Sequence, residues 1–154
     1  MNRLALSTTL LLAQVFLLLS SSVPAGEPKP QTGLADLPTF RHQGVVLDYQ
    51  DLKYNPCNDV IIPSVIATDQ LQKPLGRYYM YYAPHNAPGG ICLAYADSPA
   101  GPWKEYDTNP LITSDWAPHY QVSHVSGPHA IWMEEEKKLF LYYHGENDVT
   151  RIAS

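Results

Sequence analysis

The sequence has little charge and no basic cluster. Charged residues make up 16% of the 154 residues, and 10 Lys and Arg stand against 15 Asp and Glu, which gives a net charge of −5. Phosphate backbones and anionic membrane surfaces require clustered Lys and Arg, so this composition excludes a nucleic-acid-binding or polybasic membrane-surface protein. Hydrophobic residues reach 45%, which also excludes a solvated, disordered chain.

Cysteine is scarce as well. Cys57 and Cys92 are the two cysteines, and neither has a neighbouring cysteine at the spacing of a zinc site. A Cys57–Cys92 disulfide is permitted in an exported protein, whereas the apolar run 90–96 around Cys92 equally suits a buried free thiol. No resident cofactor or metal is predicted, and a Ca²⁺ or other metal ion held by histidines is kept as the alternative.

Long hydrophobic runs are missing after the first 25 residues. Arg3 precedes an apolar run over 4–19, and small residues follow, with Val23 and Ala25 at the −3 and −1 positions of a cleavage site. This pattern predicts a secretory signal peptide over 1–25, because the run is short for a membrane span of about 20 residues. The polar, Pro/Gly-rich stretch 26–39 predicts a flexible leader, and 40–154 the folded domain. We therefore expect a secreted or periplasmic protein with no membrane association after cleavage.

The chain is rich in Tyr and Pro and contains an internal repeat. Residues 63–66 are echoed by 128–131 at an offset of 65, and residues 77–82 by 138–143 at an offset of 61. Preserved strands with loops of changing length are typical of a repeated supersecondary unit. Eleven Tyr and 14 Pro suit short strands joined by turns, which favours an all-β fold.

The first unit is predicted to contain four strands. The apolar run 60–67 predicts a strand buried on both faces. Further strands are expected over 77–83, 91–96 and 103–106, and the acidic-basic run 134–138 predicts an exposed hairpin turn in the second unit. Four short strands per unit of about 40–60 residues indicate a β-propeller blade, with a β-sandwich as the alternative.

Three segments carry a resemblance to a known family. Residues 76–83 (GRYYMYYA), 89–98 (GGICLAYADS) and 101–103 (GPW) resemble the blade signature of the five-bladed β-propeller glycoside hydrolases, the family 43 clan. The resemblance implies a five-bladed propeller, truncated here to about two blades. It also implies an exported enzyme that hydrolyses glycosidic bonds in a polysaccharide or oligosaccharide. The family's general acid lies on a third blade, so this stretch alone is expected to be inactive.

Asp59 is the first catalytic candidate by this resemblance. Inverting glycosidases use two carboxyls roughly 6.5–9.5 Å apart, and Asp59 begins the strand that would line the channel, as a base does. The pattern departs from the family, because Ile62 and Gly127 stand where relatives carry acidic residues and His124 aligns with Asp59. Two alternatives therefore stay open: a non-catalytic carbohydrate-binding propeller, and an unrelated secreted β-domain used for interaction. Asp59 itself can equally cap a strand end.

Histidines supply the second group of candidates. His144 and His85 follow corresponding strands of the two units, so repeat symmetry predicts that they face a common axis. Imidazoles there would hydrogen-bond sugar hydroxyls or tune a carboxyl, and Glu146 is the second catalytic candidate, as an acid or base. The predicted substrate-binding residues are His85, Asn86, His124, His129, His144, Asn147, Arg151, Trp116 and Tyr120.

Overall fold

The computed structural model describes residues 38–146 and 149–154. All of the strands lie within the unit Arg41–Ser154. The predicted signal peptide, nearly all of the predicted leader and Asn147 lie outside the described residues. Within the described ranges, no helix is long and apolar enough to cross a bilayer.

The first sheet confirms the strands expected from the sequence. It contains β1 (Ile61–Ala67), β2 (Tyr78–Ala83), β3 (Cys92–Ala96) and β4 (Lys104–Glu105), all antiparallel and hydrogen-bonded in chain order. A single 3₁₀ turn, Tyr49–Asp51, precedes them and is the one helical element in the described part. The prediction of an all-β fold is confirmed.

A second, three-stranded sheet repeats this arrangement. It contains β7 (Val125–Met133), β8 (Lys138–Gly145) and β9 (Thr150–Ala153), again antiparallel in chain order. The turn between β7 and β8 is exposed, as expected. Between the two sheets along the chain, β5 (Asp115–Trp116) and β6 (Tyr120–Gln121) form a small hairpin in a stretch for which no strand was predicted.

The repeat extends to a backbone irregularity. The register of β1 on β2 and that of β7 on β8 both shift just after the strands begin. Ile62 and Gly127 sit at these two bulges with left-handed φ angles of 49° and 64°, at an offset of 65 residues. A bulge bends its strand and re-aims the neighbouring side chains. The two repeated sheets therefore share the geometry of their first strand, β1 or β7, as well as their sequence pattern.

The main core lies between the two sheets. Tyr81, Ala83 and Leu93 of the first sheet belong to one buried cluster with Leu141 and Tyr143 of the second. Alternation along the strands sends the other side chains to the opposite face of the first sheet, where Met80, Tyr82, Cys92 and Ala94 pack under Leu47, Leu52, Tyr54, Val60 and Trp103. Both faces of the first sheet are thus covered.

β1 is not buried on both faces, contrary to the prediction. Ile62 and Val65 are 49% and 47% exposed, because β1 is an edge strand of its sheet. One side of β1 meets β7 across the core, where the Ser64 Oγ accepts a hydrogen bond of 2.9 Å from the Ala130 N–H. A continuous apolar run is compatible with a strand that is buried on both faces. It is equally compatible with an edge strand that packs against neighbours on one side, as β1 does.

Cys57 and Cys92 are free thiols, so the possible disulfide is absent. Cys92 is buried in β3, and burial raises the pKa of its thiol to about 12.

The described residues form three separate antiparallel sheets and do not by themselves close into a barrel or ring.

Candidate functional site

Antiparallel pairing gathers most of the predicted site residues at one end of the two sheets. The loop 84–91 after β2 lies at this end, and so does the start of β7. Gly90 donates its N–H to the Val125 carbonyl at 2.9 Å. A Cβ on Gly89 would lie 2.1 Å from that same carbonyl oxygen, so only glycine lets the loop approach β7 this closely. The loop that follows β2 in the first sheet is thereby docked beside β7 of the second sheet.

Asp59 ties this loop to the segment before β1. Its carboxylate accepts hydrogen bonds from the His85 N–H and the Asn86 Nδ2, both at 2.8 Å, and from the Cys57 thiol at 3.4 Å. Burial by itself would raise the pKa of Asp59, but the hydrogen bonds from His85, Cys57 and Asn86 outweigh it and the pKa lies below its ordinary value. Asp59 is therefore held ionised and acts as a structural tie within the loop.

Two imidazoles pack together next to this loop. The rings of His124 and His144 meet edge to face, with centroids 5.5 Å apart and planes at 77°. His124 Nδ1 lies 3.1 Å from the Ser123 Oγ. A Cβ on Gly127 would lie 3.0 Å from the His144 Nδ1, so the bulge glycine makes room for that ring.

His144 is kept in its neutral form. Burial lowers the pKa of His144, and electrostatic repulsion from His124 and then His85 lowers it further. Its Nε2 and the Ser126 Oγ are buried, and neither has a hydrogen-bond partner within the described residues. The structure thus places His124 beside His144, and His85 lies close enough to act on His144 electrostatically.

Glu146 lies at the same end but serves the backbone. Its N–H donates to the His124 carbonyl at 3.2 Å, and its Oε1 accepts from the Ser123 N–H at 3.3 Å. Its φ is 59°, a left-handed value. The exposed carboxylate of Glu146 thus closes the loop that presents His124.

Strand register corrects one predicted equivalence. Ile61 pairs with Ala83 in the first sheet and Ser126 with His144 in the second, which makes His144 the counterpart of Ala83. Two residues further on, His85 corresponds to Glu146. His85 and His144 therefore follow corresponding strands but lie two positions apart in the repeat.

An aromatic cleft of about 380 Å³ adjoins this group. The Trp116 ring meets the rings of His119 and Tyr120 edge to face, at 5.8 and 6.1 Å between centroids. The guanidinium of Arg151 lies over the Tyr120 ring at 4.6 Å from its centroid, a cation–π contact. Trp116, His119, Tyr120, Tyr143, Thr150, Arg151 and Ile152 line the cleft.

Backbone and hydroxyl contacts fix the cleft's polar groups. Arg151 Nη1 donates to the Gly145 carbonyl at 2.8 Å, and a Cβ on Gly145 would lie 2.6 Å from that nitrogen. The Tyr120 hydroxyl lies 3.3 Å from the Tyr143 hydroxyl and donates to the Thr113 carbonyl at 3.1 Å. Because Gly145 follows His144 directly, the cleft and the histidine group share one strand end.

The sequence missed some residues of the cleft. Trp116, Tyr120 and Arg151 were predicted as binding residues, and the structure brings all three together. His119, Tyr143, Thr150 and Ile152 were not assigned. Strand pairing would have found Tyr143, because it lies directly opposite Arg151 in the β8–β9 register.

His129 does not join the site. Its side chain is exposed on β7, and its register partner is Tyr142. Its counterpart in the first unit is Ser64, which makes a contact between the sheets.

A larger cleft, of about 560 Å³, lies at the opposite end of the sheets and contains none of the predicted site residues. Across 38–146 and 149–154, no three His, Cys, Asp or Glu side chains are placed to hold a metal ion.

No family model, curated protein or solved structure matches the chain. The resemblance to the propeller glycoside hydrolases accordingly stays a prediction from the three motifs.

Proposed function

We propose that the two sheets are successive blades of a β-propeller and that the aromatic cleft binds a sugar ring of a polysaccharide or oligosaccharide. The single observation that supports binding most directly is the cleft, in which Trp116, Tyr120 and Arg151 converge. Ligand sites are typically concave and apolar with a few convergent polar groups, and 380 Å³ falls within their usual range.

The direction of sheet stacking supports the propeller. Tyr81 and Ile66 of the first sheet pack toward the second sheet. Their register counterparts, Tyr142 and Ile131, lie on the opposite, exposed face of the second sheet. The units therefore stack in one direction, as blades do, whereas a two-sheet sandwich packs its inner faces against each other.

The chemistry of the cleft suits a saccharide. Aromatic rings offer flat apolar surfaces to the C–H faces of a sugar, and Tyr adds a hydroxyl at the wet end. Arg151, His119 and Thr150 supply polar groups for ring hydroxyls. Trp116 is 38% exposed, so its ring is accessible to such a ligand.

Hydrolysis of a glycosidic bond is the second candidate function. It is favoured by the ionised carboxylate of Asp59, since a base that activates water must be unprotonated. Against it, both Asp59 oxygens already accept hydrogen bonds from the protein's own loop. Sugar binding therefore accounts for more of the observed geometry than catalysis does.

Binding is tested by calorimetric titration of the protein with a panel of oligosaccharides. Trp116→Ala should weaken binding at least tenfold, because it removes one wall of the cleft. Trp132→Ala is the matched control, since Trp132 lines the cleft at the opposite end of the sheets. The proposal fails if no saccharide binds, or if both tryptophan variants bind as the unaltered protein does.

Hydrolysis and export have their own tests. If the Asp59→Asn variant hydrolyses an oligosaccharide as fast as the unaltered protein does, Asp59 is not the base.

We also propose that the protein is secreted or periplasmic, on the N-terminal pattern alone. A mature N-terminus at Gly26, determined by mass spectrometry of the exported protein, would support this, and retention of Met1 would contradict it.

A further inference from the structure

The aromatic cleft contains one cation, the guanidinium of Arg151. No Asp or Glu occurs among the described residues that form its wall. The whole chain carries a net charge of −5, so a cleft lined in this way is not what the overall composition would produce. The sign of the charge is therefore a local property of the cleft.

The guanidinium is fixed in place before any ligand arrives. Tyr120 supports its face at 4.6 Å, and the Gly145 carbonyl accepts from Nη1 at 2.8 Å. A guanidinium has five N–H donors, and this is the single hydrogen bond it makes within the described ranges. A guanidinium whose donors are held in one orientation can donate two parallel hydrogen bonds to a planar or tetrahedral anion. It fits such an anion better than it fits a neutral hydroxyl.

We propose that the cleft recognises a sugar that bears an anionic group, a carboxylate or a sulfate. This inference rests on the proposed function, because it names the substrate class of the same cleft. The sugar ring lies among Trp116 and Tyr120, and the anion pairs with Arg151. A carboxylate and a sulfate can both pair with the Arg151 guanidinium, and separate probes for each group distinguish them.

The test compares matched trisaccharides by calorimetric titration. The probes are trigalacturonate, its carboxyl-reduced form, a sulfated galactotriose and unsulfated galactotriose. At least one acidic probe should bind at least tenfold more tightly than its neutral counterpart, because a charge-assisted fork replaces an ordinary hydrogen bond. Whichever acidic probe shows the preference identifies the anion.

Variants locate the preference. Arg151→Gln should abolish the difference between the acidic and neutral probes, and Arg151→Lys should restore part of it by keeping the charge without the fork. Lys104→Gln is the matched control, since Lys104 is an exposed cation that lines a different cleft. If Arg151→Gln does not fold, a preference that shrinks as NaCl rises from 50 to 200 mM in the unaltered protein serves instead.

The outcomes separate the two proposals. Equal binding of acidic and neutral probes would overturn the anionic-sugar inference and leave the proposed function standing. An acid preference that survives Arg151→Gln would also overturn it, because the anion would then bind elsewhere. Failure of every probe to bind, acidic or neutral, would remove the proposed function as well.

Discussion

Ile62 and Gly127 occupy the same bulge in two successive units, and both have left-handed backbones, with φ of 49° and 64°. A glycine adopts this conformation freely, whereas a β-branched residue is strained there. A Cβ on Gly127 would lie 3.9 Å from the Ile62 Cδ1, so the two bulges are also in contact across the units. The first strands of the two repeated sheets, β1 and β7, therefore meet at the end of the sheets where the candidate site lies.

Opposite effects on stability are expected at these two positions. Ile62→Asn should raise the free energy of unfolding by up to about 1 kcal/mol, because Asn tolerates the left-handed region better. Gly127→Ala should lower it by about 1–2 kcal/mol, because its Cβ would crowd the His144 ring at 3.0 Å and the backbone would be strained. Urea denaturation measures both, and changes of the same sign would contradict the shared bulge.

The hydrogen bond between the sheets should contribute measurably to stability. Ser64→Ala removes the acceptor of the Ala130 N–H and leaves that donor unpaired at a part-buried position. We expect a loss of about 1–2 kcal/mol in the free energy of unfolding. Ser98→Ala is the control, because the Ser98 Oγ accepts from Ala100 in an exposed turn, and it should cost less than about 0.5 kcal/mol. Equal losses would indicate that the contact between the units is not specific.

His144 should make stability fall in mild acid. Burial, then the nearby His124 and His85, lower the pKa of His144 in the folded state, so the unfolded chain binds a proton at a higher pH than the folded one does. Stability is therefore full above the unfolded value of about 6.5 and declines as pH falls below it.

Chemical denaturation between pH 7.5 and 5 measures this decline. His144→Gln should flatten the dependence over that window. His129→Gln removes an exposed imidazole outside the cluster and controls for the loss of a histidine as such. A slope that is unchanged in His144→Gln would show that the imidazole cluster is not its origin.

Gly145 should matter for binding through Arg151. Gly145→Ala places a Cβ 2.6 Å from the Arg151 Nη1 and forces the guanidinium off its carbonyl partner. We expect roughly tenfold weaker binding of the oligosaccharide that the cleft prefers, measured by titration calorimetry. The double variant with Arg151→Gln should bind no more weakly than Arg151→Gln alone, because both changes act on one group. Additive losses would show that Gly145 acts by another route.

Much of the local structure could be read from the sequence. Aromatic and β-branched runs bounded by Gly and Pro predicted the four strands of the first sheet, and the offset repeat predicted the second. Trp116 and Tyr120 were among the residues predicted to bind a substrate, and both line the aromatic cleft. These features depend on neighbours along the chain, so the sequence pattern contains them.

Other features depended on which surfaces meet. The run 60–67 reads as doubly buried, yet β1 is an edge strand with Val65 about half exposed. The β5–β6 hairpin has two-residue strands, too short for periodicity to reveal. Asp59 was predicted as a base from its place before β1, and the sequence did not reveal that its carboxylate accepts hydrogen bonds from His85 and Asn86.

The sequence by itself determined an all-β chain with a repeated unit, because strand alternation and turn residues act over a few neighbouring positions. The tertiary structure decided the rest. It placed Arg151 over Tyr120, brought His144 beside His124, and gave the second sheet an exposed face that corresponds to the covered face of the first. These are relations between residues that are distant along the chain or lie on different sheets, and they are fixed only when whole faces pack together.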